Sequence, residues 1–122
     1  MERYNVRSNC IAPFAFTRMV ASIPTDRPEM AAKVEKARRM ETSKIAPMAV
    51  YLASDLSAGV TGQVFSVRAN EIFLMSQPRP LRSVHRWDGW TAASIAEHAI
   101  PAMKAQFYGL DKSADVFTWD PI

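Results

Sequence analysis

Cysteine occurs once in this chain, at Cys10, so no disulfide can form within it and a secreted scaffold built on disulfides is excluded. A reducing compartment is the natural setting. The only histidines, His85 and His98, have no cysteine or carboxylate arrangement at metal-ligand spacing, and no metal site is expected. Glycine is scarce as well: Gly59, Gly62, Gly89 and Gly109 are all there are, and they form no glycine-rich phosphate loop. A Gly-x-Ser-x-Gly nucleophile elbow is missing too. No apolar run approaches the roughly 20 residues that cross a bilayer, and Met1-Glu2-Arg3-Tyr4-Asn5 does not open a signal peptide. A soluble, cytoplasmic protein with no membrane partner is expected.

Charge of one sign is not concentrated anywhere. The formal net charge is +3 with 22% charged residues of both signs, which is ordinary surface decoration, and no nucleic-acid partner is expected. The densest basic cluster, Lys33, Lys36, Arg38 and Arg39, is interrupted by Glu35 and followed by Glu41, as on a solvated helix face. What the chain has in quantity is apolar side chains, 48% of 122 residues, enough for one domain with a core.

Val6 to Pro13 reads as a short strand stopped by proline and buried on much of both faces, with Cys10 as a small core residue. Phe14 to Ile23 reads as an apolar turn and short helix. A second helix follows Asp26 and Pro28 and reaches Arg39. The clearest helix runs from Ser43, its expected N-cap, to Asp55, with Pro47 tolerated in the first turn. Gly59 and Gly62 bracket a turn before a strand over Gln63 to Arg68, rich in β-formers. Ile72 to Met75 and Val84 to Arg86 are candidate short strands. Asp88-Gly89 marks a tight turn, and Thr91 caps a helix reaching about Phe107, with Pro101 kinking or dividing it.

Two strands separated by more than forty residues of helix are joined most simply as a parallel pair through a crossover, and parallel strands need cover on both faces. Two strands and the 43–55 helix cannot hide all of their own apolar surface. A second copy or another chain is expected to supply the rest.

Three blocks carry a resemblance to a known family. Arg3-Tyr4-Asn5-Val6-Arg7-Ser8-Asn9-Cys10-Ile11-Ala12-Pro13 resembles the sixth strand of the short-chain dehydrogenase/reductase family. Ile45-Ala46-Pro47-Met48-Ala49-Val50-Tyr51-Leu52-Ala53-Ser54-Asp55 is similar to the helix before the family's last strand, and Gly59-Val60-Thr61-Gly62-Gln63-Val64-Phe65-Ser66-Val67 to its final turn and seventh strand. Beyond Met75, the Pro-Leu-Arg-Ser-Val-His run and the tryptophan-containing turn resemble the extension of the 3-hydroxyacyl-CoA dehydrogenase branch.

The resemblance implies an α/β fold, the C-terminal part of a Rossmann-type doubly wound parallel sheet with its last two strands and crossover helices, followed by a helical extension. Residues 1–75 would be the sheet part and 76–122 the extension, with a short strand or turn and a helix. It implies that Pro13, Phe14, Ala15, Phe16 and Thr17 form the loop against the nicotinamide of NAD or NADP, with the Thr17 hydroxyl bonding the carboxamide. Thr17 also reads as a helix N-cap. Residues 18–40 would be the substrate lid. Met19, Met30, Met40 and Met48 would line an acyl pocket there or fill gaps in a core.

The chain departs from the family pattern in two places: Phe14 stands where most members have glycine, and Ala69-Asn70 where many have paired glycines, with αL backbone expected at Asn70. The family's catalytic Tyr-x-x-x-Lys pair lies upstream of the sixth strand, so no catalytic residue is expected in this chain. Tyr108 and Lys112 have the literal spacing, but Gly109 between them argues against the helix that would align them. Two functions follow. One is a truncated or split NAD(P)-dependent oxidoreductase, acting in complete form on a small molecule or acyl thioester, inactive alone and completed by a homo-oligomer or a complementing chain. The other is a small non-catalytic α/β module for binding or assembly.

Overall fold

In the computed structural model, which describes residues 2–122, a three-stranded sheet is assembled from β1 (Cys10–Phe14), β2 (Val64–Arg68) and β3 (Glu71–Leu74), in the order β1-β2-β3. Met1, part of the opening stretch expected not to form a signal peptide, lies outside the described residues. β1 and β2 run parallel, with Cys10 opposite Val64 and Phe14 opposite Arg68. β3 turns back antiparallel on β2, with Arg68 opposite Glu71 and Phe65 opposite Leu74. The expected parallel pair is therefore present, but a hairpin strand makes the sheet mixed.

β1 begins four residues later than expected because the chain before it bonds sideways to a loop. The Asn9 side chain donates to the Val60 carbonyl at 2.9 Å and accepts from the Gln63 amide at 3.0 Å. Ser8 donates its amide to the Thr61 hydroxyl and accepts at its carbonyl from the Gly62 amide at 2.7 Å. The ladder itself starts where the Cys10 amide reaches the Gln63 carbonyl. Pro13 does not stop the strand. Amides of a parallel strand alternate between its two sides, and counting from Cys10 places the Pro13 nitrogen on the open edge, where a missing donor costs nothing.

The same edge position overturns the expectation that this strand is buried on much of both faces. Cys10 is exposed, as are Ala12 and Pro13. The central strand is the buried one, with Ser66, Val67 and Arg68 all enclosed.

Between β1 and β2 the chain forms α1 (Arg18–Ala21), α2 (Pro28–Ala37) and α3 (Ala46–Ala53). Pro28 and Pro47 sit in the first turns of α2 and α3, where their missing amides are no loss. Ser43 is not a helix cap: it lies in a 3-10 turn, Thr42–Lys44, and its hydroxyl donates to Glu41 instead. Ile45 takes the N-cap position of α3, where Pro47 removes one of the amides that a capping side chain would otherwise serve.

The two-residue hairpin puts positive φ at Ala69, +53°, and not at Asn70 as expected. The Asn70 amide is held by the Ile122 carbonyl at 2.7 Å, and Ala69, 3% exposed, absorbs the left-handed turn. An L-residue there carries about 1–2 kcal/mol of strain, against about 0.8 kcal/mol for its buried methyl. Ala69→Gly is accordingly expected to stabilise the protein by up to about 1 kcal/mol, read as a higher midpoint in denaturant. A lower midpoint would show that the methyl matters more than the strain.

The chain divides into two compact units, residues 1–77 with Trp119–Ile122, and residues 78–118. In the second, the expected strand at Val84 to Arg86 does not form. Lacking a paired neighbour, these residues run irregularly into a turn where the Gly89 amide meets the Arg86 carbonyl, Gly89 has φ +84°, and Arg86 clasps Asp88. The Arg86 hydrogen bond holds the Asp88 carboxyl below its usual range.

Thr91 caps the following helix as expected, in a reciprocal box with Ser94. α4 (Ala92–Ser94) passes through a π-helical turn, Ile95–Ala99, into α5 (Ile100–Met103). The π turn ends two residues before Pro101 and includes Glu97, whose carbonyl the proline ring would strike in a regular α-helix, so the helix widens there rather than breaking. A last short helix, α6, spans Ser113–Val116.

Full burial is rare for so apolar a composition. Among the described residues the enclosed apolar side chains are Val34, Met48, Val67, Ala69 and Ala99, while Val50, Leu56, Ile72 and Leu74 are mostly exposed. The core expected from composition is thus small.

Candidate functional site

The segment Pro13–Thr17 leaves the carboxyl end of β1, beside the carboxyl end of β2. In open α/β sheets this is the end where ligands bind, because loops there can diverge and leave a crevice. Pro13 and Phe14 are still in the strand, Phe14 opposite Arg68. Ala15 to Thr17 form the loop. The Phe16 amide donates to the Met40 carbonyl at 2.6 Å, and the Arg38 guanidinium lies over the Phe16 ring at 5.3 Å, so this loop is fastened to the end of α2.

Thr17 occupies the N-cap position of α1 with extended backbone, φ −123° and ψ 173°, and its carbonyl accepts from Ala21. Its hydroxyl makes no capping hydrogen bond and is exposed. Of the two roles expected for Thr17, the backbone takes the cap and the hydroxyl is left for other use. The donor set here suits an amide: a hydroxyl that can donate or accept, next to main chain at a strand end. The Phe16 amide, already engaged, is not available for it.

Of the four methionines, Met48 is enclosed, Met30 and Met40 are half-buried, and Met19 is 83% exposed. A cavity of about 430 Å³ lies at the opposite end of the sheet, bordered by Arg7, Asp55, Gly59 and Thr61. Arg7 there donates to the Ser54 carbonyl at 3.0 Å and to the Ser57 hydroxyl, with Ser57 completely enclosed. Tyr108 and Lys112 share no helix: residues 107–112 are irregular and Tyr108 is 87% exposed. No group of three or more His, Cys, Asp or Glu gathers among the described residues. No helix among them is long and apolar enough to cross a membrane.

The strongest polar constellation went unnoticed in the sequence. Arg68, 4% exposed, holds Glu71 through two bonds of 2.8 and 3.2 Å and donates to the Trp119 carbonyl at 3.1 Å. Its guanidinium stacks on the rings of Trp119 and Phe73 at 4.9 and 5.9 Å, and the Trp119 indole donates to Glu71. The Arg68 hydrogen bond, foremost, holds the Glu71 carboxyl below its usual range, with partial desolvation opposing and the Trp119 indole, the charge of Arg68 and the Ile122 backbone assisting. Arg68 and Glu71 flank a two-residue turn, and that spacing of opposite charges was the readable signal. The tail that completes the group had no periodicity to announce it.

A family model described as enoyl-(acyl carrier protein) reductase matches residues 1–69. No curated protein matches the chain. Among solved structures, a short-chain dehydrogenase from Mycobacterium avium is similar at 25% identity and a TM-score of 0.57, over 89% of this chain and 34% of that one. The chain thus spans about a third of that relative's length. With more than half of its residues inside the family model and a parallel β1–β2 pair at its centre, the chain belongs to the short-chain dehydrogenase/reductase family.

Proposed function

We propose that this chain supplies one side of an NAD(P)-dependent oxidoreductase: the nicotinamide-side loop Pro13–Thr17, a substrate lid over residues 18–40, and a surface for assembly. The observation that carries the proposal is the exposed, uncapped Thr17 hydroxyl at the carboxyl end of a parallel strand pair. A bound nicotinamide would supply the hydride chemistry. Thr17 would hold its carboxamide by a hydrogen bond, and Phe14 would wall the loop from the sheet side. Among the described residues no tyrosine and lysine share a helical face to move the accompanying proton, so the proton-transfer groups would come from outside this segment.

The purified chain alone is expected to oxidise none of a panel of alcohols and hydroxyacyl thioesters with NAD or NADP. Mixed with a family chain bearing Tyr-x-x-x-Lys and the glycine loop, it should restore turnover. In that mixture Thr17→Val should reduce kcat/KM by about tenfold, the worth of one hydrogen bond to the carboxamide. Turnover by the lone chain would overturn the assignment.

A second reading, a non-catalytic assembly module, is favoured by the exposed apolar residues Val50, Leu56, Ile72 and Leu74. Light scattering on a size-exclusion column distinguishes it: this module would be oligomeric and would restore no activity to any partner.

A further inference from the structure

α2 is weakly seated. Of its ten residues only Val34 is enclosed, and no strand or other helix among the described residues packs broadly against it. Its C-terminal end is fastened through Met40 and Arg38 to Phe16, as described above. In the last turn of the helix, next to that fastening, the Lys36 ammonium lies 2.9 Å from the Asp120 carboxylate.

Asp120 belongs to a segment that is anchored firmly elsewhere. Trp119 is gripped by Arg68, Glu71 and Phe73, and the Ile122 carbonyl receives the Asn70 amide. After residues 78–118 the chain thus returns to the first unit and lies along the β2–β3 hairpin. We infer that Trp119–Ile122 is a strap that restrains α2: its anchor is the buried arginine group of the hairpin, and its tether is the Lys36–Asp120 ion pair. The Arg68–Glu71 pair at the anchor is largely enclosed and therefore little screened by salt. The tether is more than half exposed on both sides and therefore screened by it.

If α2 belongs to a substrate lid, as proposed above, the strap sets how readily that lid opens; this extension rests on that reading, whereas the restraint does not. Hydrogen exchange on the full chain, with no cofactor or substrate, tests the restraint directly. Asp120→Asn and Lys36→Gln should each raise exchange of the α2 amides by about 2- to 5-fold, the range an exposed ion pair supports. The Asn70 amide, on the anchor side, should stay as protected as before. Salt at about 0.5 M should raise α2 exchange in the parent chain and have no further effect in either variant.

Lys33→Gln, on the same helix at a lysine with no ion pair among the described residues, should leave α2 exchange unchanged. Unaltered α2 exchange in Asp120→Asn, or an equal rise in Lys33→Gln, would overturn the inference. All three substitutions are at exposed positions, so loss of folding does not confuse the reading.

Discussion

Arg68→Met is expected to lower Tm by on the order of 10 °C, because it leaves the Glu71 carboxylate without its main partner and unfastens Trp119. Methionine keeps most of the side-chain volume, so the loss reports the charge and its hydrogen bonds rather than a cavity. The pH dependence supplies a second readout with a definite sign. Glu71 has a folded pKa held below its ordinary value of 4.5, so its stabilising contribution is complete above that value. It is lost as pH falls through the lowered folded value. The parent chain should therefore lose stability below about pH 4.5, and Arg68→Met should show a flatter acid limb. Thermal melts across that range check both effects. A variant melting within about 2 °C of the parent, with an unchanged acid limb, would mean that the group is dispensable. Replacing both partners, Arg68→Met with Glu71→Leu, should recover part of the loss, since no uncompensated carboxylate then remains.

Val67→Asp should abolish the cooperative unfolding transition. Val67 is 2% exposed in the middle strand, and a carboxylate placed there costs several kcal/mol, comparable with the whole stability of a small protein. Ile72 is its partner across the β2–β3 ladder and shares its face, yet is 61% exposed. Ile72→Asp should therefore change the stability of the lone chain by no more than about 0.5 kcal/mol. Its effect on assembly is another matter: if Ile72 and Leu74 meet a partner chain, light scattering will show that association is lost while the melt is kept. Equal destabilisation by the two substitutions would show that the face is closed within the chain.

Much of the local structure was legible residue by residue. The segment Pro13–Thr17 begins inside β1 and runs out of its carboxyl end, and the Thr17 backbone takes the N-cap position read for it. Local chemistry also announced Pro28, Pro47 and the Thr91 cap. Ser43 was misread because capping preference is a local tendency, and Glu41 with the 3-10 turn claimed its hydroxyl first. Cys10 was misread because apolar neighbours in sequence do not reveal whether a strand lies at a sheet edge.

What the sequence alone determined is the local alphabet: which segments carry the main strands and helices, that Pro28 and Pro47 are tolerated in first turns, and which family blocks stand in order. Only the tertiary structure decided which strand is central, which residue of the hairpin takes positive φ, and that Trp119–Ile122 returns to enclose Arg68. Periodicity and capping act over a few residues and leave their mark in the sequence itself. The enclosure of a charge by a tail fifty residues away depends on where the chain doubles back, and no local pattern encodes that.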